Sequence, residues 1–182
     1  MPESFIKNKY IRSAAEWLIT VAAAVVLFLI MRTFIFRLAN VDGFSMEPTL
    51  KHGDMVLLSR ISYIVSEPRQ GDIVAFPFRE NPSEHFIKRV IGIPGDEIDL
   101  PGNYFTVNGE KLDDIFPGDA IIEFGDVRFP LTVGDGEYFV LGDNRNGSKD
   151  SRYGVVGCIP EKELIGKVVL RIWPPSRFGP AK

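Results

Sequence analysis

The sequence contains little cysteine and little histidine, which are common metal ligands and catalytic residues. It has one cysteine, Cys158, and two histidines, His52 and His85, in 182 residues. A single cysteine excludes an intrachain disulfide, and the wide separation of these three residues matches no zinc-binding pattern. We therefore predict neither a metal nor a cofactor, so any catalytic site would depend on other side chains.

The sequence also lacks an excess of positive charge. Lysine and arginine total 21 against 24 aspartates and glutamates, which gives a formal net charge of −3 at pH 7. Nucleic-acid-binding domains usually carry a basic surface, and no glycine-rich phosphate loop lies between a predicted strand and a predicted helix. The sequence predicts no nucleic-acid partner, and its many Gly-Asp pairs are typical of turns.

Charged residues are missing from one stretch near the N-terminus. Residues 17–31 read WLITVAAAVVLFLIM. This run is shorter than the ~20 residues that a spanning helix needs. A span over 13–36 is long enough, because Arg32 can extend its side chain to the lipid headgroups. We predict a short leading segment, 1–12, followed by one transmembrane anchor over 13–36.

Two other interpretations of this segment stay open. Lys7, Lys9 and Arg12 before a short apolar core are typical of a cleaved secretory signal, but the following RLANVDG contains no convincing small-x-small cleavage site. The second interpretation is a buried core helix, which fits poorly with so few polar residues at this position. Basic residues are nearly balanced on the two sides of the segment, so charge favours a cytoplasmic N-terminus only slightly.

The rest of the chain, 37–182, has short apolar runs separated by Gly, Pro and Asp. These runs predict strands at Met55–Leu58, Asp72–Phe78, Phe86–Ile93, Tyr138–Leu141 and Lys167–Ile172. Asn108 and Gly109 within YFTVNGEKL predict a hairpin turn, because both residues accept positive φ. We predict a mainly β fold, an antiparallel sheet or barrel-like domain behind a single N-terminal transmembrane helix. The polar stretch 95–137 is predicted to be a small insertion, and 173–182 a loose tail.

The stretch VDGFSMEPTL, residues 41–50, places Ser45 two residues after Gly43. A serine hydroxyl is a weak nucleophile that needs an adjacent base. A Ser-His-Asp triad would have to use His52 or His85, and spacing alone does not establish its geometry. A neutral lysine is the other known base, and burial in apolar surroundings lowers a lysine pKa because the charged form loses its hydration.

Lys88 is the lysine best placed for this role. In HFIKRVIGIPG, strand alternation puts Phe86, Lys88 and Val90 on one face, and a lysine that shares an apolar face is desolvated. The alternative is that Lys88 and Arg89 form a basic pair on an exposed edge strand, where lysines are common. The residues by themselves leave both interpretations open.

Four motifs resemble, in their order, those of bacterial type I signal peptidases (leader peptidases). They are SMEPTL at 45–50, GDIVAF at 71–76, KRVIGIPGDEI at 88–98 and GDNRNGSKDSRYG at 142–154. The first motif alone is weak, but all of them in this order behind an N-terminal apolar segment are highly specific. The resemblance covers nearly the whole chain and is thinnest over 99–137 and beyond 173.

The resemblance implies a serine endopeptidase with a Ser-Lys dyad, in which Ser45 is the nucleophile and Lys88 the general base. It assigns to Ser148 a hydroxyl that orients the lysine amine, and to the Ser45 N–H a part of the oxyanion hole. Supporting ion pairs around the site are implied for Arg89, Asp143, Asp150 and Arg152. Gly43 stands where some members have a serine whose hydroxyl helps to hold the oxyanion, so that donor is absent here.

The implied substrate is an exported preprotein, which is cut after the small-x-small residues that end its signal peptide. The substrate would bind extended beside the segments that lead to the serine and the lysine, with Ala39, Val41 and Ile87 lining shallow pockets. The resemblance places the N-terminus in the cytoplasm and the anchor in the bacterial cytoplasmic membrane. The β domain is then on the outer face of that membrane.

Two alternatives stand beside this hypothesis. One is a specialised processing peptidase of the same fold, and the other is a non-catalytic, membrane-anchored β domain that binds exported proteins. The presence of Ser45, Lys88 and Ser148 argues against the second. The predicted partners are exported preproteins and membrane lipid, and the sequence does not determine the oligomeric state.

Overall fold

The computed structural model describes residues 3–30, 35–112 and 121–181. The chain divides into two compact units, Met1–Phe36 and Arg37–Lys182. In the first unit the structure describes one helix, α1, which extends over Glu3–Ile30. The second half of α1 combines alanine and leucine, which have high helix propensity, with an equal share of β-branched residues.

Helix α1 contains the first part of the segment that was predicted to span a membrane, 13–36. Among the described residues, no helix is both long and apolar enough for a membrane crossing. The uncharged part of α1 begins at Trp17, directly after Glu16, and ends with the helix at Ile30. That length is short of the ~20 apolar residues that a span requires. The predicted span is therefore not confirmed, and its positions 31–34 lie outside the described residues.

The strands of the chain form two sheets. The strands are β1 (Phe36–Asn40), β2 (Met55–Ser59), β3 (Ile73–Phe78), β4 (Asn81–Gly92), β5 (Glu97–Asp99), β6 (Thr106–Val107), β7 (Glu110–Lys111), β8 (Leu131–Thr132), β9 (Glu137–Leu141), β10 (Ile159–Pro160) and β11 (Gly166–Trp173). A seven-stranded sheet has the order β1-β2-β11-β3-β4-β9-β10, and a four-stranded sheet has the order β7-β6-β5-β8. From β2 to β10 the large sheet is antiparallel, as is the small one. The mainly β, antiparallel fold is confirmed.

The strands predicted from apolar runs are present as β2, β3, β4, β9 and β11. Strand β4 begins at Asn81 instead of Phe86, because the end of β3 supplies pairing partners as far as Phe78. Between β6 and β7, Asn108 and Gly109 have φ angles of 53° and 79°, the positive values that a tight hairpin needs. Among the described residues after β2 there is one α-helix, the short α2, which extends over Ser62–Val65.

A hydrophobic cluster fixes the loop 41–54, here called the serine loop, which connects β1 to β2 and carries Ser45. Val41, Met46 and Leu50 are at most 5% exposed and pack with apolar residues of β2, β3 and β11. Burying a side chain of this size stabilises a fold by roughly 1.5–3 kcal/mol. The loop is therefore anchored in the core on both sides of Ser45, while Ser45 itself stays half-buried.

The C-terminal segment 173–182 is not the loose tail that its prolines and glycines predicted. Gly179 forms a bridge with Arg171 of β11 through backbone hydrogen bonds. The Arg177 guanidinium donates to Asp54 in the serine loop, and Arg171 Nη1 lies 3.8 Å from the same carboxylate. Asp54 is fully buried. A buried carboxylate needs compensating charge, so the pairing with two arginines ties the tail to the serine loop.

Replacing Asp54 with alanine should lower the free energy of unfolding by about 3 kcal/mol, because it leaves Arg171 and Arg177 without their shared anion. Urea unfolding of the full chain, followed by tryptophan fluorescence, measures this change. Asp135→Ala, at an exposed aspartate, is the control and should change the free energy by less than about 0.5 kcal/mol. Equal effects of the two substitutions would contradict the assignment.

Candidate active site

The serine loop and strand β4 bring Ser45 and Lys88 together. Lys88 lies opposite Val74 in the pairing of β3 with β4, and its Nζ donates to Ser45 Oγ at 2.7 Å. The lysine is only 3% exposed. The hydroxyl and the amine are therefore in direct hydrogen-bond contact, at a distance that permits proton transfer between them.

Apolar surroundings dehydrate the Lys88 amine. Its Nζ lies 4.9 Å from the ring centroid of Phe86, and Phe86 stacks on Phe78 with centroids 4.7 Å apart. Burial lowers the pKa of Lys88 from 10.5 to about 8, while the negative charge of Asp150 acts in the opposite direction. Much of the amine is thus neutral at mildly alkaline pH. The interpretation of Lys88 as an exposed edge-strand lysine is wrong.

Arg89 points away from Lys88, as strand alternation requires, and pairs with Asp143. Its Nε and Nη2 donate to the two carboxylate oxygens at 2.8 Å and 2.7 Å. The Arg89 side chain is 5% exposed and that of Asp143 is fully buried. Arg89 Nη1 also donates to the Gly71 C=O at 2.9 Å. This bidentate ion pair joins β4 to the segment that follows β9, and its two parallel hydrogen bonds fix the relative orientation of the two side chains.

A second buried ion pair shapes the segment 142–152, here called the pairing loop. Arg152 Nε and Nη2 donate to the Asp150 carboxylate at 2.8 Å and 2.9 Å, and both side chains are fully buried. Asp150 Oδ2 accepts from the Gly142 N–H at 3.0 Å. Arg152 Nη2 donates to the Ser148 C=O at 3.2 Å. The pair therefore closes the pairing loop on itself beside Lys88, whose ionisation responds to both charges.

Ser148 lies in the pairing loop but does not make the predicted bond to the lysine amine. Its Oγ is buried and has no hydrogen-bond partner among the residues that the structure describes. A Cβ on Gly142 would lie 2.2 Å from this Oγ and 2.5 Å from the Ser45 C=O. Ser148 and the backbone of Ser45 thus meet at the bare face of Gly142. The orientation of Lys88 by Ser148 stays a prediction.

An open groove of about 820 Å³ runs along the serine and the lysine. Ala39, Val41 and Ile87, the predicted pocket residues, all line it together with Ser45 and Lys88. Val41 is mostly turned into the core, at 5% exposure, while Ala39 and Ile87 are half-buried. The structure therefore brings the predicted pocket residues to one surface.

Neither histidine takes the place of Lys88 beside Ser45. His52 Nδ1 accepts from the Gly43 N–H at 3.3 Å and lies 3.2 Å from Asp42 Oδ1. The His52 side chain is 59% exposed. His85 is an exposed residue on the groove rim. The Ser45 hydroxyl accepts a hydrogen bond from Lys88 Nζ and not from a histidine, so the alternative of a Ser-His-Asp triad is not supported.

Two residues of the pairing loop belong to the site although the sequence analysis gave them no role. Gly142 allows the close approach described above, and Asn144 donates from its backbone N–H to the Ser45 C=O at 3.0 Å. Both stand at the start of GDNRNGSKDSRYG, and their position next to Asp143, a predicted site residue, is the feature of the sequence that could have indicated their role. Only the tertiary fold shows that this stretch contacts the serine loop.

Ser45, the buried amine of Lys88 and the groove beside them fit the class of serine hydrolases that use a base other than histidine. The model of the family "Signal peptidase, peptidase S26" matches residues 14–173. The chain belongs to this signal peptidase family, and it is accordingly a serine peptidase, a hydrolase.

Named relatives agree with this family. The chain is 39% identical over 166 residues to "Probable signal peptidase I-2" of Synechocystis sp., and the aligned residues cover 88% of this chain and 73% of that protein. It is 37% identical over 178 residues to "Signal peptidase IB" of Staphylococcus aureus, with 90% and 91% covered. A crystal structure of a signal peptidase I from Enterococcus faecalis is 30% identical, with a TM-score of 0.47, and covers 57% of this chain and 98% of that one.

Lys88→Met should raise the free energy of unfolding at pH 7, because the fold holds a charged amine out of water there. The pKa of Lys88 is about 8 in the folded chain against an ordinary 10.5. The unfolded chain therefore binds more protons between these values, and wild-type stability increases with pH across that window. We expect the free energy of unfolding of the variant to increase by about 1–3 kcal/mol at neutral pH, reduced by the loss of the hydrogen bond to Ser45. Above pH ~10 the increase should be smaller.

Urea unfolding at neutral pH and near pH ~10 measures this gain. Lys162→Met, at an exposed lysine, is the matched control, and its free energy of unfolding should differ from that of the wild type by the same amount at both pH values. A gain for Lys88→Met that is the same at both pH values would show that the amine is not desolvated in the folded chain.

Proposed function

We propose that this chain removes signal peptides from exported preproteins, with Ser45 as nucleophile and Lys88 as general base. The observation that carries the proposal is the 2.7 Å hydrogen bond between Lys88 Nζ and Ser45 Oγ. The burial of that amine lowers its pKa to about 8, so a neutral lysine is available near physiological pH. The family match supports the reaction class.

The reaction would proceed in two halves. Ser45 Oγ attacks the scissile carbonyl carbon while neutral Lys88 Nζ takes the hydroxyl proton, and the carbonyl oxygen becomes an oxyanion facing the Ser45 N–H. Protonated Lys88 then passes this proton to the leaving amine as the C–N bond breaks. Lys88 then takes a proton from water, whose oxygen attacks the resulting acyl-serine ester. As the ester C–O bond breaks, Lys88 returns this proton to Ser45 Oγ, and the signal peptide leaves with a C-terminal carboxyl group that loses its own proton to solvent.

The groove supports an extended substrate. Strand β1 stands at one end of the seven-stranded order, so one of its edges has no strand partner among the described residues. The groove extends from β1 to the part of β4 that contains His85, Phe86 and Ile87. A peptide lying there would pair with backbone groups and place alternate side chains against the protein. Ala39, with Ile87 opposite, would limit the size of those side chains and so favour small residues.

The wild-type chain should cut an exported preprotein after a small-x-small sequence, and Ser45→Ala and Lys88→Ala should each lose at least about 10³-fold of the rate. Mass spectrometry of the new N-terminus identifies the bond. The wild-type rate should rise with pH through the Lys88 pKa of about 8, because only the neutral amine accepts the serine proton.

Arg60→Ala, at an exposed residue of the sheet domain, controls for the effect of substitution itself and should keep the wild-type rate. Continued cleavage by Ser45→Ala would refute Ser45 as the nucleophile. A wild-type rate that does not change with pH between about 6 and 10 would refute the lysine base.

We also propose that the chain acts at the outer face of the bacterial cytoplasmic membrane, with the apolar part of α1 as the attachment. From Trp17 to Leu29 this helix exposes large apolar side chains, among them Leu18 and Phe28. Exposed apolar surface of this kind favours transfer out of water.

The full chain should therefore pellet with membranes after an alkaline carbonate wash. A variant with Leu18→Glu and Phe28→Glu should be released, because buried carboxylates are costly in lipid. Release of the unaltered chain by the same wash would contradict the attachment.

A further inference from the structure

One residue of the pairing loop holds the backbone on both sides of the nucleophile. Asn144 donates from its own N–H to the Ser45 C=O at 3.0 Å, and from Nδ2 to the Phe44 C=O at 3.2 Å. Its Oδ1 accepts from the Gly147 N–H at 3.1 Å, which closes the turn Arg145–Gly147. Asn144 therefore connects the two peptide groups that flank Ser45 to a turn of the pairing loop.

The bond to Phe44 has a consequence for the neighbouring amide. The Phe44 C=O and the Ser45 N–H belong to one peptide group, which is planar and trans, so the two point in opposite directions. Fixing the oxygen therefore fixes the direction of the N–H. The same oxygen also accepts from the Glu47 N–H at 3.1 Å. Two donors on a carbonyl polarise its peptide group, which makes the N–H a stronger donor.

The neighbouring residues increase the importance of this amide. Gly43 has no side chain that could donate to an oxyanion, and its own N–H is directed at His52 Nδ1. The Ser45 N–H lies on the nucleophile itself, beside the carbonyl that the hydroxyl attacks. Its direction thus decides how well the negative charge that forms on that oxygen is stabilised.

We propose that Asn144 is a positioning residue for the oxyanion site. Its Nδ2 holds the Phe44–Ser45 peptide so that the Ser45 N–H faces the oxygen on which charge develops. The inference rests on the proposed function, because it needs Ser45 to be the nucleophile. It assigns the role to the donor group of Asn144, separately from the acceptor group that caps the turn.

The substitutions Asn144→Asp and Asn144→Ala separate these two roles. Aspartate keeps an oxygen for the Gly147 N–H and caps turns well, but it has no hydrogen to donate to Phe44. Both variants should lower kcat by about 10-fold and change KM by less than about 2-fold. The reason is that the hydrogen bond from the Ser45 N–H to the oxyanion is made only in the transition state. The rates are compared above the Lys88 pKa, where an added carboxylate no longer alters the fraction of neutral amine.

A pair of inhibitors tests the oxyanion site without turnover. A small-x-small peptide aldehyde adds the Ser45 hydroxyl to its carbonyl carbon, and the former carbonyl oxygen, protonated in the adduct, occupies the oxyanion site. The matching peptide alcohol binds the same groove without forming that bond. Both Asn144 variants should bind the aldehyde about 10-fold more weakly and the alcohol as the wild type does. A general loss of fold would weaken both.

Asn146→Asp is the matched control, because it adds the same charge two residues away. The Asn146 side-chain oxygen accepts from the Ile122 N–H at 2.9 Å, outside the serine loop, so kcat should stay within about 2-fold of wild type. If Asn144→Ala fails to fold, Asn144→Asp carries the test.

The outcomes separate this inference from the proposal on which it rests. Unchanged kcat in the Asn144 variants, with Ser45→Ala inactive, would overturn the positioning role and leave the nucleophile assignment intact. A rise in KM at constant kcat would also overturn it, because that pattern reports ground-state binding. Cleavage by Ser45→Ala would overturn both.

Discussion

The burial of one amine is the constraint on which the proposed chemistry of this molecule depends. Lys88 belongs to β4 and is 3% exposed, so its charged form loses hydration that the fold does not fully replace. In the proposed reaction only the neutral amine can take the proton of Ser45, and burial brings the pKa of Lys88 down to about 8, so that part of the amine is neutral near physiological pH. The aromatic pair Phe86 and Phe78, at the β3–β4 hairpin, supplies part of that packing.

Two buried ion pairs hold the elements around this amine. The pair of Arg89 with Asp143 joins β4 to the pairing loop, and the pair of Asp150 with Arg152 closes that loop. Buried pairs of this kind contribute little net stability compared with apolar packing. Their value here is geometric, because each fixes a segment against the next. They also set the electrostatic balance at Lys88, which Asp150 and Arg152 shift in opposite directions.

The serine loop is held from three directions. Its apolar side chains sit in the core of the large sheet, its buried Asp54 pairs with arginines of β11 and the C-terminal segment, and its backbone accepts from Asn144. Placing a hydroxyl within about 0.5 Å of its productive position requires such support from packed neighbours. Ser45 is thus positioned by residues that are far from it in the chain.

Local patterns in the sequence determined the strands β2, β3, β4, β9 and β11 and the hairpin at Asn108, because alternation and turn chemistry depend on neighbours. The pairing of Ser45 with Lys88 was implied only by the resemblance in motifs. The resemblance in motifs indicated the same family as the family model that matches residues 14–173. The sequence could not determine whether Lys88 is buried, since an alternating strand can lie at an edge or in the core. Nor could it show that Asp54 binds the C-terminal segment, or that Asn144 donates hydrogen bonds to the backbone of the serine loop. These contacts depend on the order of strands in the sheet, and long-range order is decided only when the whole chain packs.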